Sequence, residues 1–436
     1  MNQLWHLSCP APETGTIVDG VYNTGPVLAD DMYSVTGQDG KMQIVTEAGL
    51  QDFEDYGKLL KASGAEMTFE NQTALNRYFG FRQGDTVFQV SFFARLGEIR
   101  VMEDPHTESP TEFNFPAEGP EETIVYQYGL YYDPNADVTD RTMNCGMMYL
   151  IRLPDNSLFV IDSGHRYQWT REALQNLWNF LHDITHTAPG GRIRIACWYF
   201  THAHNDHTDG CIALLGRWHD QILVERVMQG YPSYQVHSLG YEAESQTTKR
   251  YLLKYDPKVQ QLHVHTGQKM TMGNVELEFL FAEEDHVRAS SPEELPLRDF
   301  NGTSPILKVT LGGKSILFLA DTNQETQERL KEISDERLWK ADMVQVGHHC
   351  INRLDDLYRW IAAPQALIPN TFRASHDNGH RINLMGVLKH IRHDSVFYEG
   401  SATYGFVPAE DGFRVADELP IVGGPYDGSL RDLVAD

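Results

Sequence analysis

The chain has 436 residues and a formal net charge of −25 at pH 7, because 61 acidic side chains stand against 36 basic ones. So acidic a surface repels polyanions and argues against non-specific nucleic-acid binding. No apolar run approaches the roughly 20 residues that cross a bilayer, and no signal peptide is recognisable at the start. The five cysteines are scattered without a CxxC pair, which excludes a disulfide framework and a zinc finger. We therefore expect a cytoplasmic protein with no membrane partner.

Residues 1–103 are predicted to form a small α/β domain. Apolar residues at helical spacing predict a helix over 47–63. Short runs of β-forming residues separated by turns then predict strands over 66–70, 77–81, 86–93 and 98–103. The domain shows no recognisable set of residues for chemistry, so a packing or substrate-gating role is the simplest interpretation.

An acidic, proline-rich linker is predicted over 104–122, because proline and like charges both disfavour regular structure. Residues 123–436 are then predicted to form one larger domain in which strands and helices alternate. Strands are expected at 147–153, 157–162, 192–200, 275–281, 306–311, 315–320 and 343–346, and helices at 170–181 and 207–217. Such alternation with several hairpins is typical of a layered, mixed α/β fold.

The strongest chemical signal is an HxHxDH motif that directly follows the predicted strand 192–200. It consists of His202, His204, Asp206 and His207. A loop that leaves a strand can turn successive side chains toward one point, and imidazoles with a carboxylate suit zinc, manganese or iron. His202 and His204 alternate and can face one metal, whereas Asp206 and His207 curl into the next helix and can face a second. Such a cluster is rare by chance, so we interpret it as a metal site.

Two later segments repeat the pattern of an apolar strand that ends in a metal-binding side chain. The first ends at Asp321, whose carboxylate can bridge two cations, although Asp321 alone is explained equally well as the N-cap of a helix over 324–333. The second ends before the pair His348 and His349. One imidazole of the pair can complete the second metal and the other can support it, and the sequence does not decide which.

These parts occur in the order found in the metallo-β-lactamase superfamily of binuclear metallohydrolases, which residues 143–406 resemble. The strand ending Val160-Ile161-Asp162-Ser163-Gly164 is similar to the IDxG element of that superfamily, and the HxHxDH motif, the strand-end Asp and the late His follow it. The forms ILFLAD and VGHHC look most like the branch that includes the nuclease domain of bacterial DNA-uptake (competence) proteins. Ala320 and Cys350 stand where that branch has glycine. The resemblance implies a four-layer αββα sandwich behind the small N-terminal domain.

The resemblance also implies supporting residues. In that branch an Asn-x-x-Ser segment takes the place of an extra histidine on the first metal, and Asn301 and Ser304 match it. His286 is the nearest alternative ligand. Asp162 is carried over as a residue that orients the metal ligands and does not bind the metal itself.

Hydrolysis is the activity that the resemblance implies. Two divalent ions, zinc first and manganese or iron as alternatives, would share a bridging hydroxide that attacks a carbonyl carbon or a phosphorus. Asp206 would hold a metal and accept a hydrogen bond from this nucleophile. Gly379-His380 matches a substrate-facing histidine of the branch, although Arg381 stands where proline is usual. His380 would then stabilise the oxyanion or protonate the leaving group, and His376 lies in the same segment.

The acidic surface favours a small-molecule ester, lactone, amide or phosphodiester as substrate. One alternative is a nuclease or nucleotide phosphodiesterase of the DNA-uptake type, which a ridge of Arg166, Arg353, Arg373 and Arg381 beside the cleft would support. Another is a metal-site protein without hydrolytic turnover. The partner that we expect is therefore a small-molecule substrate, and the sequence leaves open whether the chain forms a homo-oligomer.

Overall fold

The computed structural model describes residues 16–21, 41–105, 109–132, 145–230, 252–256, 258–290, 300–376, 381–389, 391 and 395–421. Its strands form an N-terminal sheet and two larger sheets that pack face to face. No helix in this described part is long and apolar enough to cross a membrane.

The N-terminal sheet is antiparallel and carries one helix, α1 (Leu50–Ala62). Its strands are β1 (Thr16–Val21), β2 (Lys41–Thr46), β3 (Glu66–Gln72), β4 (Arg77–Gln83), β5 (Thr86–Phe93) and β6 (Glu98–Pro105), in the order β1-β2-β6-β5-β4-β3. The helix buries Phe53, Tyr56 and Leu60 against the sheet, because these residues recur on one face of a 3.6-residue helix. The predicted helix and four strands are confirmed with slightly shifted ends, and β1 and β2 were not predicted.

The remaining strands build the two larger sheets. They are β7 (Asn114–Phe115), β8 (Ile124–Gln127), β9 (Met148–Arg152), β10 (Leu158–Asp162), β11 (Ile193–Phe200), β12 (Ile222–Val224), β13 (Arg226–Gln229), β14 (Gln260–His263), β15 (Lys269–Met272), β16 (Val275–Phe281), β17 (Ile306–Leu311), β18 (Lys314–Phe318), β19 (Met343–Gln345), β20 (Gln365–Ile368), β21 (Val396–Tyr398), β22 (Ala402–Ala409) and β23 (Gly412–Pro420). The first sandwich sheet has the order β14-β13-β11-β10-β9-β8-β22-β23, with β12 beside β11. The second sandwich sheet has the order β21-β20-β19-β18-β17-β16-β15-β7.

Helices cover the outer face of each sandwich sheet. They are α2 (Arg171–Ile184), α3 (Asn205–Trp218), α4 (Gln324–Ile333), α5 (Asp355–Ile361), α6 (Phe372–Ser375) and α7 (Arg381–Leu388). Successive side chains of a strand point to opposite faces of the sheet. In β9, Met148 and Leu150 pack against the α2–α3 side, whereas Tyr149 and Ile151 face the second sheet. Helices α4, α5 and α7 share a core with the outer face of the second sheet. The predicted αββα sandwich is therefore confirmed.

The stretch predicted as a linker, residues 104–122, takes part in the sandwich. Its first two residues end strand β6 of the N-terminal sheet. Residues 109–122 are irregular except for strand β7, which pairs with β15 at the edge of the second sheet. Phe115 is buried in the core between the two sheets, and burial of an aromatic side chain stabilises its position more than the surrounding acids oppose it.

The N-terminal domain packs directly on the sandwich. Asn71 Nδ2 donates to the Gly267 carbonyl at 2.9 Å, and Asn76 Nδ2 donates to the Ile333 carbonyl at 2.9 Å. Tyr78 belongs to the core beneath the second sheet. These contacts hold the N-terminal sheet against the sandwich, and its role stays a prediction.

A buried ion pair, His265 with Asp104, joins the two domains, with Nε2 and Oδ2 2.7 Å apart. Burial alone would lower the pKa of His265, but Asp104 and Glu284 raise it well above its ordinary value. Burial would raise the pKa of Asp104, but His265 lowers it. The pair therefore stabilises the fold fully at pH values between the ordinary pKa of aspartate, about 4, and that of histidine, about 6.5. It is lost as the pH falls through the lowered pKa of Asp104 or rises through the raised pKa of His265.

We expect His265→Leu to lower the free energy of unfolding by about 3 kcal/mol at pH 6, because Asp104 is left buried without its partner. The deficit should shrink as the pH rises, since the wild-type protein then loses the charge on His265. Urea unfolding at pH 6 and at alkaline pH measures this. The control is His186→Leu, because His186 is half exposed and 3.8 Å from Glu121 and should change stability little at either pH. Equal deficits of His265→Leu at both pH values would contradict the expectation.

Candidate metal centre

The predicted metal ligands follow strands that run parallel. β10 is parallel to β11 in the first sandwich sheet, and β18, β19, β20 and β21 are parallel to one another in the second. Parallel strands end at the same edge of a sheet, so the loops after them gather there. His202 from the first sheet and Asp321 from the second approach to 3.8 Å between Nε2 and Oδ2. The candidate site therefore lies across the edges of both sheets.

Four buried side chains form the larger ligand group: Asp206, His207, Asp321 and His349 offer ligand atoms that all lie within 4.8 Å of one another. The Nε2 atoms of His207 and His349 each lie 3.4 Å from Asp321 Oδ2. His349 Nε2 is also 3.0 Å from Asp206 Oδ2. Two imidazoles and two carboxylates thus converge on one point.

A second ligand group contains His202, His204 and Asp321, again within 4.8 Å of one another. His202 Nε2 lies 2.9 Å from His204 Nδ1. Asp321 belongs to both groups, so its carboxylate is placed where it can contact two cations.

Buried acceptors fix the orientation of two imidazoles. Asp162 Oδ2 lies 2.7 Å from His207 Nδ1, and Asp162 also accepts hydrogen bonds of 2.8 Å from the Thr201 backbone N–H and hydroxyl. His349 Nδ1 lies 3.2 Å from the carbonyl of Pro369. With the proton on Nδ1, each imidazole presents the lone pair of Nε2 to the ligand group, which is how metal-binding histidines are usually held.

The charges of the larger group are strongly coupled. Burial alone would lower the pKa of His207, but Asp321, Asp162 and Asp206 raise it well above its ordinary value. Burial likewise opposes the charge on His349, but Asp321 and Asp206 raise its pKa to about 10. In turn these imidazoles hold the pKa of Asp321 well below its ordinary value, against the effect of burial. Without a cation, protons on the imidazoles balance the negative charge of the carboxylates. A divalent ion that binds would displace these protons.

A metal ion fits these residues. Among the described residues, His207 Nε2, His349 Nε2 and Asp321 Oδ1 are buried atoms without a hydrogen-bond partner. Buried polar atoms left unsatisfied cost about 1–3 kcal/mol each, and these atoms point into the ligand group. Nitrogen and oxygen donors without a thiolate match zinc, manganese or iron.

The adjacent histidines take different positions. His349 belongs to the larger ligand group, whereas His348 lies beside it, with Nε2 3.7 Å from Asp321 Oδ2 and 3.5 Å from Asn301 Nδ2.

Asn323, not Asp321, caps helix α4, because its side chain accepts the Thr326 N–H at 3.1 Å. The alternative explanation of Asp321 as that N-cap is therefore wrong.

Left-handed backbone conformation marks the loops of the site. Asp162, Ala320, His348, His349 and Cys350 have φ values of 55°, 48°, 48°, 50° and 64°. Glycine adopts this conformation at least cost, so these five non-glycine residues hold backbone that other side chains rarely adopt. Burial raises the pKa of the Cys350 thiol to about 12, and among the described residues Cys350 belongs to neither ligand group.

Close contact with strand β10 holds the ligand-bearing end of helix α3. Ser163 Oγ donates to the His207 carbonyl at 3.0 Å and accepts the Cys211 N–H at 3.0 Å. A Cβ at Gly210 would clash with the Ser163 carbonyl. Glycine at this position therefore allows the helix to approach the strand.

Three other residues that the sequence predicted near the site make contacts outside the two ligand groups or with their backbone. Ser304 is buried and its Oγ accepts the Asp321 N–H at 3.3 Å. His286 joins neither group, because its Nε2 lies 2.9 Å from the Gly302 carbonyl, so it is not the alternative ligand. His376 stacks on Phe372 with ring centroids 3.9 Å apart. His380, the predicted catalytic histidine, lies outside the described residues.

The four arginines considered for a basic ridge lie on separate segments. The Arg166 guanidinium lies over the Tyr167 ring, 5.1 Å from its centroid. Arg353 Nε lies 2.6 Å from the Asp355 carboxylate, which offsets its charge. Arg373 is exposed on α6, and the side chain of Arg381 is outside the described part.

Sequence reasoning missed Glu399, which is completely buried beside the site. It accepts hydrogen bonds from Tyr132 Oη at 3.1 Å and from the Met148 N–H at 2.9 Å. Burial raises the pKa of Glu399 to about 8. The residue directly follows strand β21, so the same pattern of an apolar strand ending in a carboxylate could have identified it. His165 is also buried, and burial lowers its pKa to about 4.

No protein-family model matches this chain, and no curated protein does. Among solved structures, it is similar to a metallo-β-lactamase from Cronobacter sakazakii at 17% identity, with 50% of this chain and 76% of that chain covered and a TM-score of 0.27. It is similar to CmlA, a diiron β-hydroxylase from Streptomyces venezuelae, at 14% identity, 64% and 47% coverage and a TM-score of 0.32. The match thus spans less than half of CmlA.

A third similar structure is Tm1679, a metal-dependent hydrolase of the β-lactamase superfamily, at 16% identity, 64% and 97% coverage and a TM-score of 0.35. Two of these neighbours are thus named as a metallo-β-lactamase and as a hydrolase of the β-lactamase superfamily, and the resemblance to the DNA-uptake branch stays a prediction. At such low identities the chemistry of this chain has to follow from its own side chains.

Proposed function

We propose that the chain is a metal-dependent hydrolase with two adjacent sites for divalent ions. The observation that carries this proposal is the pair of ligand groups that meet at Asp321. A carboxylate common to two ligand groups offsets the charge of two neighbouring cations, which is the arrangement of two-metal hydrolytic sites. Zinc is the first candidate because it binds imidazole and carboxylate in compact sites.

One ion would be held by His202, His204 and Asp321. The other ion would be held by Asp206, His207, Asp321 and His349. Bound ions of this kind lower the pKa of water toward neutrality and stabilise negative charge that develops on the substrate. Asp162 keeps the proton of His207 on Nδ1, so that Nε2 stays a donor of electrons to the ion.

Asp206 is the carboxylate that we assign to the reacting water. Its side chain is 12% exposed, whereas that of Asp321 is 2% exposed. Asp206 is therefore the more accessible of the two carboxylates, and one of its oxygens can accept a hydrogen bond from the attacking water. Protonation of the leaving group by His380 stays part of the proposal.

The proposed substrate is a small-molecule ester, lactone, amide or phosphodiester. A net charge of −25 opposes the approach of a polyanion over distances near the Debye length, about 8–10 Å in physiological salt. The pairing of Arg353 with Asp355 removes one of the cations that a nucleic-acid substrate would need.

Metal content measured together with turnover tests the proposal. We expect purified protein to carry up to two zinc, manganese or iron ions per chain, and chelation to abolish turnover that added metal restores. Chromogenic phosphodiester, ester, lactone and β-lactam substrates would identify the class. Asp206→Ala is the inactive control in each assay. A protein without bound metal that neither zinc nor manganese activates would refute the proposal.

A further inference from the structure

A buried segment between the domains, residues 283–287, is held from the N-terminal side by Arg100 of strand β6. Arg100 is 2% exposed. Its Nη1 donates to the Glu284 carbonyl at 3.1 Å and its Nη2 to the Val287 carbonyl at 2.9 Å. Glu98 pairs with the same guanidinium at 2.8 Å. The five fixed donors of a guanidinium suit such a clamp, because they can satisfy several carbonyls at once.

A second buried guanidinium holds the same segment from the sandwich side. Arg329 of helix α4 donates from Nε to the Asp285 carbonyl at 2.5 Å and from Nη2 to the Val287 carbonyl at 3.1 Å. Both guanidinium groups therefore share the Val287 carbonyl. Residues 283–287 are fixed by one arginine from each domain.

His286 lies within this clamped segment and reaches toward the metal centre. Its Nε2 lies 2.9 Å from the Gly302 carbonyl, and its ring packs edge-on against Phe281 with centroids 5.0 Å apart. Burial lowers the pKa of His286 to about 3, so the ring is neutral and carries one proton. Since the carbonyl can only accept, this proton is on Nε2.

The turn that accepts this hydrogen bond lies beside His348 and the shared ligand Asp321. Gly302 belongs to the 3₁₀ turn Phe300–Thr303. Within the turn, Asn301 Nδ2 is 3.5 Å from His348 Nε2. Directly after it, Ser304 Oγ accepts the N–H of Asp321 at 3.3 Å. The position of this turn therefore affects the carboxylate shared by both ligand groups.

We propose that His286 is a positioning residue that sets the turn at 300–304 against the metal ligands, and that the N-terminal domain takes part in building the centre through Arg100. The inference rests on the proposed metal function. It gives the N-terminal domain a defined task, because Arg100 is the contact by which that domain fixes the segment carrying His286.

Cobalt binding to the full-length, metal-free chain tests this proposal. We expect His286→Leu to weaken Co²⁺ binding about 10- to 100-fold and to change the d–d absorption of bound Co²⁺, because Asp321 loses its support. His286→Gln keeps an amide donor of similar reach, so Co²⁺ affinity should stay within about threefold of the wild type. Arg100→Lys cannot reach both carbonyls and should weaken binding in the same direction by less. Wild-type affinity and spectrum in His286→Leu would overturn the proposal.

Amide hydrogen exchange separates this inference from the proposed function. In metal-free protein, the N–H groups of residues 301–304 should exchange faster in His286→Leu than in the wild type, and His286→Gln should restore slow exchange. If the wild type binds no Co²⁺, the proposed function fails, and exchange alone decides the positioning role. If His286→Leu does not fold, Arg100→Lys decides, and unchanged exchange and Co²⁺ affinity in that variant would refute the role of the N-terminal domain.

Discussion

Asp321→Ala is expected to lose both metal ions and to reduce turnover at least ~1000-fold, equivalent to about 4 kcal/mol of transition-state stabilisation. The reason is geometric, because Asp321 is the single carboxylate that belongs to both ligand groups. Asp206→Ala should also abolish turnover, but it should leave about one ion bound, since Asp206 belongs to the larger group alone. Elemental analysis of both variants, purified in parallel, measures the difference.

Asp342→Ala is the matched control for this experiment. Asp342 is likewise a carboxylate beside the strands of the second sheet and accepts the Ser315 N–H at 2.8 Å, but it lies at the start of the strand pair β18–β19, away from the ligand edge. It should keep both ions and full turnover. Turnover retained in Asp321→Ala would remove Asp321 from the site, and loss of only one ion would show that the two ligand groups do not share it.

Local sequence patterns predicted much of the sandwich and its motif. Strands β16 and β17 have the bounds that the alternation of apolar residues indicated, because one face of each is fully buried and the flanking turns contain polar residues or glycine. The HxHxDH motif was readable because its ligands are close in sequence. Asp321 could be connected with them only through the family resemblance, since the motif lies more than a hundred residues before it.

Other parts depend on contacts that no local pattern contains. Strand β8 is four residues long and becomes a strand by pairing with β22, where Tyr126 faces Gly405. Glu399 becomes significant only because β21 ends next to the Met148 N–H of the other sheet. Pro369 supports His349 through a backbone carbonyl, which every residue has. Such long-range pairings cannot be inferred from the periodicity of one segment.

Asp162→Asn is expected to weaken metal binding about 10- to 100-fold and to lower turnover, although the side chain touches no metal. Asp162 now accepts a hydrogen bond from His207 Nδ1 and two from Thr201. The Thr201 N–H donates to Oδ1, whereas the Thr201 hydroxyl and His207 Nδ1 share Oδ2. An asparagine that keeps the Thr201 N–H contact through its oxygen therefore presents its NH₂ group to His207. The imidazole must then accept at Nδ1 and carry its proton on Nε2, the atom that faces Asp321 at 3.4 Å. A protonated Nε2 cannot bind a cation.

The pH dependence of Zn²⁺ affinity in Asp162→Asn gives a second, independent test of the His207 tautomer. A neutral imidazole does not lose its remaining proton near neutral pH, so raising the pH from 7 to 9 should not restore Zn²⁺ affinity in the variant. If the variant merely lacked a negative charge, its affinity would recover as the remaining ligands lost their protons at higher pH. Asp342→Asn makes the same chemical change at the opposite end of the strands and should leave the Zn²⁺ titration unchanged. Recovery at pH 9, or wild-type affinity at pH 7, would show that Asp162 does not act through the His207 tautomer.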